Sequence, residues 1–208
     1  MVYSFNNAAV RVATTGAIYF ADDETGTRYD TLKDKVKKVD VALADTDFQH
    51  LGFLSEDAVE HEFDDDIEDI PSWQGGIVRS IVKSRSATFK IASLETSREA
   101  LSLFYGADVT TDTGVHSLDV GANVARKKMI CVFEFRDGHL PSGTERVYRI
   151  VLPSSQVTEL ESPKFTAGDA VTWGMTIKAL GSRHPLLSIY TNDDQLAAPA
   201  PPPDTSDN

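Results

Sequence analysis

Val171-Thr172-Trp173-Gly174-Met175-Thr176-Ile177-Lys178-Ala179 decides the fold class. Val171, Trp173, Met175, Ile177 and Ala179 fall on one side of a period-two pattern, with Thr172, Gly174, Thr176 and Lys178 on the other. Successive side chains of a strand point to opposite faces, so this stretch predicts a strand with one buried face. Working outward, Ala87, Phe89 and Ile91 alternate with Thr88, Lys90 and Ala92 in the same way. Residues 16–21, 129–135 and 146–152 are short runs rich in aromatic and β-branched residues, and Pro153 is expected to stop the last of them. The predicted class is mainly β.

One short packed helix is expected among these strands. Thr96-Ser97-Arg98-Glu99 has the form of a capping box, Ala100, Leu101 and Phe104 give an apolar stripe, and Gly106 suits a left-handed stop. A packed helix over 97–105 follows. Residues 31–39, with apolar positions 32, 36 and 39 and four lysines, fit a weaker amphipathic helix or a solvated face. The segment 191–208 holds four of the nine prolines and reads as a disordered tail behind a single domain over 1–190.

The 208 residues carry 20 Lys and Arg against 32 Asp and Glu, a formal charge of −12. Such a balance disfavours a protein that works by gripping phosphates. A chain of this length buries about 70% of its unfolded surface and needs neither metal nor disulfide for a core. Cys131 is the only cysteine, which excludes an internal disulfide and permits a reducing compartment. The N-terminus lacks the pattern of a signal peptide, and no apolar run is long enough to span a bilayer. Synthesis in a cytoplasm, without membrane insertion, is expected.

The charge is unevenly distributed. Nine carboxylates and no Lys or Arg lie between Glu56 and Asp69, while Arg79, Lys83, Arg85 and Lys90 occupy an acid-free stretch between Ile70 and Leu94. Like charges repel, so residues 63–76 are expected to form a long exposed loop. Pro71 and Trp73 give it a stiff turn and an apolar anchor. The interface candidates are therefore Asp64, Asp65, Asp66, Glu68, Asp69, Trp73, Arg79, Lys83 and Arg85. A calcium loop starting at Asp64 fails, because Asp69 and Gly75 stand where glycine and glutamate are needed. The five histidines are scattered, Cys131 reads as a core residue, and no nucleophile elbow, phosphate loop or dinucleotide motif is present. Neither catalytic residues, nor cofactor, nor metal is expected.

The order of these features resembles one family. The series runs Gly16-Ala17-Ile18-Tyr19-Phe20-Ala21, Leu51-Gly52-Phe53-Leu54-Ser55-Glu56-Asp57, the acidic segment ending in Trp73-Gln74-Gly75-Gly76, and Leu94-Glu95-Thr96-Ser97. It closes with a helix ending on Phe104-Tyr105-Gly106 and with Arg149-Ile150-Val151-Leu152-Pro153-Ser154. It is similar to the major tail proteins, or tail tube proteins, of long-tailed non-contractile bacteriophages, especially those of actinobacteria, over about residues 8–180. The resemblance implies a β-sandwich or barrel with one packed helix and long assembly loops. It also implies hexameric rings stacked into a tube that encloses a tape-measure protein, meets terminator and tip proteins, and passes DNA without binding it. The location implied is the virion tail, with host cytoplasm during assembly. The residues leave open a β-sandwich module binding sugar or protein through Trp73, an enzyme with a carboxylate pair, and a terminator or baseplate subunit.

Overall fold

The computed structural model describes residues 5–197 apart from 45, 124 and 182. In chain order its elements are β1 (Thr15–Asp22), α1 (Arg28–Lys37), β2 (Gln49–His50), β3 (Leu54–Pro71), β4 (Ile77–Ser93) and α2 (Arg98–Tyr105). There follow β5 (Val109–Asp112), β6 (Val115–Leu118), β7 (Met129–His139), β8 (Glu145–Leu160), β9 (Trp173–Ala179) and β10 (Ser188–Thr191). The main sheet is antiparallel, in the order β2-β1-β7-β8-β9-β4-β3, with β10 paired to β8; β5 and β6 form a separate hairpin. The chain is thus mainly β, as its alternating segments require.

The sheet curls around one apolar interior. Phe20 from β1, Phe133 from β7, Leu152 from β8, Ile177 from β9 and Phe89 from β4 share a single cluster with Ala100 and Phe104 of α2. The Phe89 and Phe133 rings stack at 4.3 Å, although β8 and β9 lie between their strands in sheet order. On the other face, α1 buries Tyr29, Leu32 and Val36 against Ile130, Val132 and Val151. Cys131 is fully buried, and burial pushes its thiol pKa up, so the side chain packs as a small hydrophobe.

The helices differ from expectation in their caps. Ser97, not Thr96, caps α2: its Oγ accepts the Ala100 N–H at 3.1 Å. Glu99 is therefore the second helical residue, one position short of the capping-box register. The Thr96 hydroxyl accepts the Trp173 Nε1–H at 3.1 Å instead. Gly106, at φ 70°, closes the helix in the left-handed conformation. Helix α1 begins three residues earlier than expected, because the buried Asp23 carboxylate accepts the Thr27, Arg28 and Tyr29 amides.

Two further expectations are corrected. Pro153 does not end β8; it falls where the β7 register shifts and between the part of β8 paired to β10 and the part paired to β9, so no ladder is broken. Ordered structure also continues past residue 190. Asp193 is buried, accepts hydrogen bonds from the Tyr148 hydroxyl and from Arg11 Nε (2.6 Å), and precedes a short 3-10 turn at Asp194–Leu196. Residues 198–208 of the expected tail lie outside the described residues.

A buried ion pair fixes the connection after α1. Glu134 and Arg149 face each other across β7 and β8, each side chain 1% exposed, with Nε to Oε2 at 2.6 Å. Arg149 also donates to the Lys38 and Val41 carbonyls at 2.8 and 2.6 Å, and Arg136 donates to Glu134. Desolvating the pair is costly, and these added hydrogen bonds offset that cost. Phe104, 3% exposed and edge-on to Trp173 at 5.1 Å, locks α2 into the interior. Phe104→Ala is expected to lower stability by about 3–5 kcal/mol. Equilibrium denaturation checks this, and an unchanged midpoint would remove α2 from the core.

Candidate assembly interface

The segment expected to be a loop over 63–76 is a β-hairpin. Its strands are the outer parts of β3 and β4, paired from Phe63 opposite Ala87 to Pro71 opposite Ile77, with register shifts between Asp66 and Ile67 and between Ile70 and Pro71. The correction has an electrostatic cause. The acid-rich strand lies beside the base-rich one, so cations absent nearby in sequence arrive from across the hairpin. Arg85 donates from Nε and Nη2 to the two Asp65 oxygens at 2.5 and 2.7 Å. Lys83 meets Glu68 at 3.0 Å, Lys90 meets Glu60 at 3.2 Å, and the Ser80 hydroxyl donates to Asp69 at 2.5 Å. The Arg85 hydrogen bond holds the Asp65 carboxyl below its ordinary pKa, and the Arg85 guanidinium is raised in turn. Each exposed pair contributes little alone, but together they replace self-repulsion along β3 with pairing.

The tip is a tight turn. Ser72 N–H donates to the Gly76 carbonyl at 2.9 Å, Gly75 N–H donates to the Ser72 carbonyl at 3.2 Å, and the Ser72 hydroxyl donates to the Gly75 carbonyl at 3.1 Å. Gly75 and Gly76 have φ of 94° and 89°, conformations that side chains disfavour. Trp73 at this tip is 100% exposed.

Beyond Thr88, β4 no longer pairs with β9, so the hairpin leaves the body as a two-stranded ribbon. Parity assigns its faces. Glu60, Glu62, Asp64, Asp66 and Glu68 share one face, opposite Lys90, Thr88, Ser86, Ser84 and Ile81. Alternate residues of a strand stand about 7 Å apart, so these carboxylates form a continuous acidic stripe. The other face carries His61, Phe63, Asp65, Ile67 and Asp69, opposite Phe89, Ala87, Arg85, Val82 and Ser80. Ile67, Ile70, Ile77, Val78 and Val82 are exposed. Arg79 stands opposite Ile70.

An aromatic series roots the ribbon. His61 stacks on Phe89 at 4.2 Å, with its planes 5° apart, and Phe89 stacks on the buried Phe133. Phe63 meets His61 edge-on at 6.2 Å, and the Arg85 guanidinium lies over the Phe63 ring at 5.2 Å. Burial lowers the His61 pKa, which favours the neutral ring in the stack. The hairpin thus pairs Asp65 with Arg85 and Glu68 with Lys83, while Asp69 accepts from Ser80. It places Asp64 and Asp66 on the acidic stripe, and leaves Trp73 alone at the tip. Sequence reading missed His61 and Phe63, whose signal was the alternation His61-Phe63-Asp65-Ile67 within the acidic run.

Amide exchange in the isolated subunit is expected to be slowest near His61 and Phe89 and to quicken towards Ser72–Gly76, because isolated two-stranded ribbons are marginal in water. Arg85→Ala should accelerate exchange at 63–71 and 77–86 without lowering the melting temperature of the body. Uniformly fast exchange over 60–90 in the unaltered protein would contradict the ribbon's order.

Among the described residues no group of three or more His, Cys, Asp or Glu is arranged to hold a metal ion, and no helix is long and apolar enough to cross a membrane. A protein-family profile described as phage tail tube protein matches residues 3–202. No curated protein sequence matches the chain significantly. Three solved structures show distant likeness. The extracellular contractile injection system PVC sheath-tube complex in its extended state has 11% identity and a TM-score of 0.42, over 89% of this chain and 98% of that chain. The anti-feeding prophage tube-terminating cap has 14% identity and a TM-score of 0.39, over 64% and 78%. The virion of a native gene transfer agent particle has 13% identity and a TM-score of 0.38, over 70% and 91%. The family match carries the assignment.

Proposed function

The chain belongs to the phage tail tube protein family, and from that premise we propose that it self-assembles into stacked hexameric rings forming the conduit for DNA ejection. Membership makes it a structural component of the virion tail. The hexamer, the enclosed tape-measure protein and the terminator and tip contacts come from the family resemblance. The exposed ribbon is the observation that supports self-assembly. A strand pair carrying Ile67, Ile70, Trp73, Ile77, Val78 and Val82 into solvent exposes far more apolar surface than its own two strands can cover. A second subunit would cover that surface, and the paired charges of Asp65, Glu68, Lys83 and Arg85 would set register more than affinity. Arg79, Asp64, Asp66 and Asp69 belong to the same proposed contact.

The polar outer face around the ribbon's root suits the inner wall. Glu60 and Glu62 of β3, Thr88 and Lys90 of β4, Thr176 and Lys178 of β9, and Glu159 of β8 opposite Thr176 lie together there, three carboxylates against two bases. A wall richer in carboxylates than in bases lets a polyanion slide, because it releases no counterions from the DNA. Screening limits the repulsion to about 8 Å at physiological salt, so only groups on the wall matter.

Trp73→Ala is expected to abolish tube formation, seen by negative-stain microscopy of the concentrated protein, while leaving the subunit's melting temperature unchanged. Normal tubes from this variant would remove the ribbon tip from assembly. In a reconstructed tube of the unaltered protein, the lumen should carry net negative charge, and a net positive lumen would refute that assignment of faces.

A further inference from the structure

The ribbon needs a receiving surface, and the described residues of the body line several cavities of different character. The cleft under α2 has about 120 Å³ and is walled by Arg98, Glu99, Asp108 and Lys127, too small and too polar for an indole. Two others, of about 290 and 130 Å³, are lined largely by polar residues. The groove between β1 and the start of β3 is large, about 730 Å³, but the carboxylates Glu56 and Glu95 line it and would repel an acidic ribbon.

A further cleft, about 340 Å³, lies between the N-terminal segment and the sheet. Val12, Phe135, Tyr148, Ile150 and Ile189 form its apolar walls, with Arg11 and Arg136 beside the single carboxylate Asp137. Its walls are held by tertiary contacts. Arg11 is clamped to Asp193, and Arg136 bridges Glu134 and Glu145. Val12 and Ile189 remain exposed at its mouth, and Val10 extends the apolar surface.

We infer that this cleft receives the Trp73 tip of a second copy of the chain. The inference rests on the self-assembly reading and names the surface that completes it. The two surfaces match in shape and chemistry: a convex aromatic tip on an acidic ribbon, and a concave apolar cleft presenting the part-exposed guanidiniums of Arg11 and Arg136, whose partners Asp193 and Glu134 are buried. Buried tryptophans in such pockets dominate interface energetics. Tip and cleft are different patches of one molecule, so the contact is heterologous. Such contacts propagate into rings or filaments rather than closing as a twofold dimer.

The test is a disulfide across the contact in the full-length protein. Gln74→Cys combined with Ile189→Cys, oxidised mildly after assembly, should give a ladder of covalent oligomers on a denaturing gel. Fully buried Cys131 does not compete. Gln74→Cys with Glu56→Cys, which lines the rejected groove, should give none. Normal tubes without the first ladder, or a ladder only from the second pair, overturn the docking while leaving self-assembly intact. Ile189→Ser is an independent check, since Ile189 is 56% exposed and the change should leave the fold alone. It should keep the melting temperature and reduce the polymerised fraction by about tenfold or more, as loss of an anchor contact does. Normal polymerisation of that variant also overturns the inference. If the unaltered protein never forms tubes, the self-assembly reading fails, and this docking fails with it.

Discussion

The acidic run of β3 can exist as a strand only because a basic strand lies antiparallel to it. Residues 60–69 alone would repel one another in any compact arrangement. The pairing of Asp65 with Arg85, Glu68 with Lys83 and Glu60 with Lys90 converts that repulsion into a register constraint. These pairs are exposed, so their value lies less in stability than in excluding alternatives. A slip of one residue would bring the carboxylates of one face opposite the wrong partners and turn Phe63 away from His61. The bulge at Lys83, between the Asp66–Ser84 and Ile67–Val82 pairs, then lets that lysine reach Glu68 without shifting the β3 faces.

Charge pairing sets the register, and aromatic stacking joins the ribbon to the body. The series Phe133, Phe89, His61 and Phe63 passes from a fully buried ring to an exposed one, with Arg85 covering the last. Rigid packing therefore continues outward from the interior where backbone pairing to β9 has stopped. The assembly role proposed for the ribbon would benefit from this combination. A wholly mobile arm would lose conformational entropy on docking, whereas a partly ordered one has lost some of it already.

The same division governs the body. Phe104 and Trp173 meet because α2 lies across the curled sheet, and Trp173 finds its hydrogen-bond acceptor in Thr96, the residue that seemed destined for the helix cap. Ser97 takes the cap because its backbone is extended there and its hydroxyl reaches Ala100. A polar side chain at a helix start has several possible partners, and tertiary packing selects among them.

The sequence by itself determined the strands whose alternation is strict, at 87–92 and at 171–179 (the latter forming from Trp173 onward), because period two has only one way to bury its apolar side. It determined α2 within a residue, through its apolar stripe and Gly106, and it determined the core role of Cys131. The order of motifs was enough to reveal the family. What it could not determine was any feature whose partner is distant in the chain. The acidic segment read as a loop because its cations lie about twenty residues further on, and only the hairpin brings them within hydrogen-bonding distance. Pro153 read as a stop because the switch of partners along β8 is invisible in one strand. Glu134 and Arg149 became a buried pair, and His61 became a stacked ring, only through neighbours supplied by other strands. Local periodicity is a property of one segment, whereas charge compensation, stacking and desolvation belong to pairs, and tertiary structure alone decides the pairs.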